Sequence, residues 1–299
     1  MKHEKPIVIL VLCVVTLSMA ATLVGILTNL GNGEEYEIES IRDQIVTIYG
    51  KGIYEHMSSD VAIQGIAQDY VSLFAGIPLL LVSLYLCRKG LTKGGFLLAG
   101  TLGYFLVTYL FYTCMAMYNV LFLLYVALTA TSFFAFTLVT LSFQIQHLSS
   151  CFDHKFPKKF LGGFLIFDSI AIGLMWFSVI VPPLADGTIY PSDLDHYTTL
   201  IVQGLDLSLL LPIAFMAGLL LLKNKPFGYL MAPIYIVFLS ILMTALTAKV
   251  IAMTLSEVSA GPAIVIIPVF NVIAIVCSVL VIKSIKNYEN EKHTTACIG

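Results

Sequence analysis

Residues 228–254 read GYLMAPIYIVFLSILMTALTAKVIAMT, a run whose one charged residue is Lys249. As a helix rising ~1.5 Å per residue it spans about 40 Å, more than the ~30 Å hydrocarbon core of a bilayer. Lipid offers backbone groups no hydrogen-bond partner, and the polar alternation of a barrel strand is missing, so the run predicts a membrane-spanning helix. Comparable runs occur at 7–30, 70–87, 95–117, 119–143, 160–182, 200–222 and 262–284. Together they predict an all-α fold, a polytopic transmembrane helix bundle of about eight spans forming one membrane domain over 1–299.

Composition agrees. The 299 residues are 59% hydrophobic and 11% charged, where soluble domains carry roughly 25% charged residues. The net charge of -2 gives no basic surface for nucleic acid. The first run follows Lys2 and Lys5 and contains Ser18-Met19-Ala20-Ala21, which resembles a signal-peptidase site. It continues through Thr22-Leu23-Val24-Gly25-Ile26-Leu27, past the ~7–15 residues of a signal core, and therefore reads as a retained anchor.

Basic residues alternate between connections. Lys2 and Lys5, Arg88, Lys89 and Lys93, Lys155, Lys158 and Lys159, Lys223 and Lys225, and Lys283, Lys286 and Lys292 mark one side. By the positive-inside rule that side is cytoplasmic, which puts both termini inside, with 286–299 a cytoplasmic tail, in a multi-pass protein of the plasma membrane. The extracytoplasmic connection 31–69 carries Ile38, Ile41, Ile45 and Ile48 at helical spacing, predicting a short amphipathic helix there. Ser59 and Asp60 resemble an N-cap and first turn, so the second helix begins before the lipid. No convincing sequence match joins spans 1–4 to spans 5–8.

Charged groups inside a span cost at least ~2.5 kcal/mol near the bilayer centre and mark candidate sites. The candidate substrate-binding set is Asp69, Tyr112, Asn119, Gln203, Asp206 and Lys249, opening to the extracytoplasmic side; Asp206 and Lys249 lie at similar depth on adjacent spans, which predicts an ion pair. Asp168, mid-membrane with no basic partner at its level, is the candidate for proton or ion coupling. Pro78, Pro212, Pro233 and Pro268 interrupt spans 2, 6, 7 and 8 and mark kinks. His147, Cys151, Asp153 and His154 have a metal-like spacing but form no recognised ligand set, so no metal or cofactor is assigned. The cysteines are scattered, predicting no disulfide, and Cys297-Ile-Gly is one residue short of a prenylation box. No hydrolase, redox or nucleotide motif is present, and the single tryptophan, Trp176, argues against a retinal cage around Lys249.

The segments Gln203-Gly204-Leu205-Asp206 with Pro212, Lys225-Pro226-Phe227-Gly228-Tyr229 and Gln68-Asp69-Tyr70 resemble uncharacterised prokaryotic multipass membrane proteins, a resemblance that implies no activity. The sequence therefore predicts small-solute or ion transport, with the lipid bilayer and a small-molecule or ion ligand as partners. A membrane-embedded enzyme acting on a lipid-soluble substrate, and a sensor or assembly subunit, are the alternatives.

Overall fold

The computed structural model describes residues 3–258 and 261–286. Eight of its helices are long and apolar enough to cross a membrane: α1 (Glu4–Thr28), α2 (Ser59–Arg88), α3 (Thr92–Met115), α4 (Phe122–Leu141), α5 (Lys158–Asp186), α6 (Ile201–Leu222), α7 (Pro226–Leu255) and α8 (Ala263–Ser284). The protein is an all-α, multipass membrane helix bundle. Of the tail expected at 286–299, all but Lys286 lies outside the described residues, as do Lys2 and Lys292. α2 does start before the lipid-length run, with Ser58 rather than Ser59 at its N-cap and Asp60 in its first turn.

The amphipathic helix expected within 31–69 is not formed. Instead β1 (Tyr36–Glu39) pairs antiparallel with β2 (Ile45–Ile48), Tyr36 opposite Ile48 and Glu39 opposite Ile45. The β-branched run Ile45-Val46-Thr47-Ile48 favours an extended backbone, and it buries Val46 and Ile48 while exposing Ile45 and Thr47, a period of two. Between the strands Ser40 closes the turn, its hydroxyl accepting from the backbone N–H of Arg42 and Gln44 at 3.3 Å. Ile41, counted toward the helical stripe, is fully outside. We call the end of the bundle bearing this β-hairpin the hairpin face, and the opposite end the terminal face.

α3 is the most enclosed span, with 67% of its apolar window buried, against 17% for α8. It crosses α7 at the centre, where a Cβ on Gly100 would collide with Val237. Around this pair, α2 packs on α3 and α7, α6 on α7, α1 on α4, and α5 on α6.

The two halves of the bundle match in backbone where their side chains do not. α2 contains a five-residue π-turn at Ser72–Gly76 followed by Pro78, and α6 contains one at Asp206–Leu210 followed by Pro212. Proline lacks the N–H that would cap the turn before it, and a widened turn accommodates its ring. The constant shift that carries Pro78 to Pro212 also carries Arg88 to Leu222, Lys89 to Lys223, and left-handed Gly90 to left-handed Asn224. It carries Gly94 to Gly228 as well, where a Cβ on either would overlap the backbone of the preceding helix, at Cys87 and Leu221 respectively. The loop hydrogen bonds repeat with it: Leu91 N–H to Leu86 O at 3.2 Å becomes Lys225 N–H to Leu220 O at 2.9 Å. The α2–α3 and α6–α7 units are thus two copies of one backbone design.

At the terminal face, residues 151–153 pair with 284–286 through Lys286 N–H to Cys151 O at 2.9 Å and Asp153 N–H to Ser284 O at 2.8 Å. There the expectation of no disulfide is corrected: Cys151 is disulfide-bonded. Folding brings the end of α8 to a cysteine that is remote in sequence.

Candidate functional site

Asp69 is buried on α2 between two tyrosines. The Tyr54 hydroxyl donates to Oδ2 at 2.5 Å and the Tyr112 hydroxyl lies 3.1 Å from Oδ1. Tyr54 comes from a 3-10 turn, Gly52–Tyr54, in the connection beneath the hairpin, and Tyr112 from α3. Burial, with the Asp69 charge adding to it, raises the Tyr54 phenol well above its ordinary value, so it remains a donor at neutral pH. Space for the carboxylate is made by Gly25 of α1, where a Cβ would overlap Asp69 Oδ2.

The Tyr112 hydroxyl also lies 3.0 Å from Gly65 O. With one proton, it serves either the carboxylate or the carbonyl. An ionised Asp69 accepts from both tyrosines; a protonated Asp69 can donate to Tyr112, whose own proton then turns to Gly65 O. The site has two self-consistent proton arrangements related by one added proton.

Tyr109 and Tyr125 extend the cluster, with ring centroids 5.3 Å apart for Tyr112–Tyr125 and 5.8 Å for Tyr109–Tyr112. The fully buried Tyr109 hydroxyl has no hydrogen-bond partner among the described residues. Next to Asp69 on α2, Gln68 donates to Tyr104 at 2.8 Å and Thr108 at 3.2 Å, and one turn deeper Ser72 bonds Tyr104 at 2.8 Å.

Lys249, half-buried on α7, feels the charges of both Asp206 and Asp69. The direct Asp206–Lys249 ion pair expected from depth is not formed. Among the described residues the side-chain ion pairs are Glu55–His56 and Glu4–Arg88. Asp206 Oδ2 instead accepts from Trp176 Nε1 at 2.9 Å, because the π-turn that begins at Asp206 turns it toward α5. Asp168 is buried, with Oδ1 lacking a hydrogen-bond partner among the described residues, and it interacts electrostatically with Asp206. Ser169, beside it in sequence, donates instead to Ile166 O, and Asn271 of α8 accepts from Thr244.

The structure thus brings Asp69, Tyr112, Asp206 and Lys249 into one electrostatic group. Gln203 is buried in the first turn of α6 and lines a separate cleft. Asn119 spends its amide within the turn after α3, bonding Ala116 O, Met117 O and the Leu121 N–H. No group of three or more His, Cys, Asp or Glu is placed to hold a metal among the described residues. Tyr54, Gly25 and Trp176 are the members that spacing did not single out. Tyr54 sits in a loop and Gly25 contributes only room, while Trp176 could have been sought as the one indole donor near a buried acid.

Comparison with protein families, curated proteins and solved structures finds no match, so the site's chemistry rests on its own geometry.

Proposed function

We propose that the protein is a small-solute or ion transporter whose binding region lies around Asp69, Asp206 and Lys249, between α2, α3, α6 and α7. One observation carries the reading: α2 and α6 are each opened into a π-turn before a proline beside a membrane-level acid, and both acids act on one lysine. Interrupted helices in matched repeats are how many transporters place polar groups at a substrate and let one half move against the other.

The matched positions are themselves informative. The shift that relates the halves sets Asp69 against Gln203 and Ser72 against Asp206, so each half offers two polar groups one turn apart and makes a different one acidic. Two acids facing one lysine leave one formal negative charge unbalanced, which a cation or a proton would neutralise. The two proton arrangements at Asp69 support the same cationic or proton-coupled chemistry.

The basic residues of the terminal face support a plasma-membrane orientation with both termini cytoplasmic, so the site would load from outside. The test is uptake of a panel of small cations and zwitterions into proteoliposomes. Asp69→Asn and Lys249→Met, inserted at wild-type level, are expected to reduce uptake at least tenfold. Undiminished uptake of every solute that wild type carries, in both variants, would sink the assignment.

A further inference from the structure

A second feature lies apart from the acid–lysine group. Between α5 and α6 at the hairpin face is a cleft of about 370 Å³, and below it on the same pair of helices lies another of about 340 Å³. Leu207 lines both, so they form one groove. From Leu200 to Met216 it follows α6 for roughly 24 Å, most of a ~30 Å hydrocarbon core.

The two ends differ in chemistry. The upper cleft holds Arg42, Thr198, Thr199 and Gln203 with Ile180 and Leu184; the lower holds Ile170, Leu211, Pro212, Phe215 and Met216. Arg42 reaches the cleft from the hairpin turn. Its Nη1 donates to Asp195 O at 3.2 Å and its guanidinium lies over the Tyr190 ring at 5.4 Å. No carboxylate pairs with it among the described residues. A fixed guanidinium with donors to spare, at the polar end of a membrane-length apolar groove, matches an anionic headgroup with an acyl chain below it. Gly204 faces the upper cleft, and a Cβ there would meet nothing within 4 Å.

We propose that this groove binds a phospholipid of net negative headgroup charge in the leaflet at the hairpin face, with its phosphate on Arg42 and one acyl chain along Leu207, Leu211 and Phe215. The site is independent of the transport reading: it needs neither Asp69 nor Lys249.

Trp176, the sole tryptophan, lies on α5 between the groove residues Gly173 and Ile180, so its fluorescence reports a quencher in the groove. The experiment reconstitutes the full chain in nanodiscs containing either brominated-chain phosphatidylglycerol or brominated-chain phosphatidylcholine at equal mole fraction. Wild type is expected to show at least threefold stronger apparent binding of the phosphatidylglycerol. Arg42→Gln should abolish that preference, Arg42→Lys should keep part of it, and Gly204→Leu should weaken quenching by both lipids by filling the cleft. Millimolar inorganic phosphate should leave the quenching unchanged.

Equal quenching by the two lipids in wild type overturns the proposal, as does a preference that survives Arg42→Gln. Displacement by inorganic phosphate overturns the lipid assignment in favour of a soluble oxyanion. Arg42 sits on the hairpin, outside the helix packing, so its two variants remain readable even where Gly204→Leu fails to fold.

Discussion

Asp69 shows how a single carboxylate is held at the boundary of the lipid. About twenty residues of helix span the hydrocarbon, so counting back from Arg88 sets Asp69 near its edge on the hairpin side. Each hydrogen bond there contributes on the order of 0.6–1.7 kcal/mol. Tyr54→Phe is therefore expected to lower stability by about 1 kcal/mol in a detergent melt while leaving the fold intact. Gly25→Ala makes a sharper test, because the added methyl collides with the carboxylate itself. It should destabilise by about 1–3 kcal/mol, whereas Gly163→Ala, where a Cβ meets nothing within 4 Å, should be neutral or slightly stabilising. Asp206, Asp168 and Lys249 were legible in the sequence because a charge in an apolar run is costly and needs a reason, and Asp69 because it precedes the second run at a similar outer level. Their partners were not. Depth along a helix can be counted, but the direction a side chain takes cannot, and the π-turn at Asp206 sends it to Trp176 rather than Lys249.

At the scale of elements, the two connectors joining α2 to α3 and α6 to α7 make a matched pair. Gly94→Ala and Gly228→Ala should each destabilise by about 1–3 kcal/mol, and by similar amounts, since each Cβ meets the same part of the preceding helix. Unequal costs, one large and one absent, would show that the equivalence is only apparent. The hairpin is expected to respond to pH through Asp195, whose backbone carbonyl accepts from Arg42 and whose carboxyl is raised by burial and further by the charge of Asp60. A carboxyl raised in the folded state favours the protonated form, so its contribution is fully present at low pH and is lost as pH rises through the raised value. Amides of residues 36–48, corrected for intrinsic exchange, should therefore be better protected on the acid side of that transition. The hairpin was misread because isoleucines at 38, 41, 45 and 48 satisfy a helical period, while the consecutive β-branched residues 45–48 and the turn at Ser40 carried the deciding preference.

For the whole molecule, eight spans were legible because each apolar run is long enough to announce itself. The duplication was not, since it is written in a π-turn, a proline, a left-handed residue and a glycine rather than in shared side chains. Topology is testable directly. With Cys114, free and exposed at the hairpin end of α3, replaced by serine and cysteines introduced singly at Arg42 and at Lys223, membrane-impermeant maleimide should label intact cells at position 42 and leave position 223 unlabelled until the membrane is opened; the reverse pattern would invert the proposed orientation. The hairpin, finally, belongs by sequence to the first half, to which Ile48 ties it by a bridge to Ser58, and its turn bonds to the second: Arg42 and Gln44 donate to the carbonyls of Asp195 and Ser192. Any parting of the halves at this end must break those two bonds or drag the hairpin along, and must also part Ser58 from Tyr197 and the His56 carbonyl from His196. It is accordingly a handle in water for helices in oil, and a binder that grips residues 36–48 and 192–195 together should arrest whatever motion the interrupted helices permit.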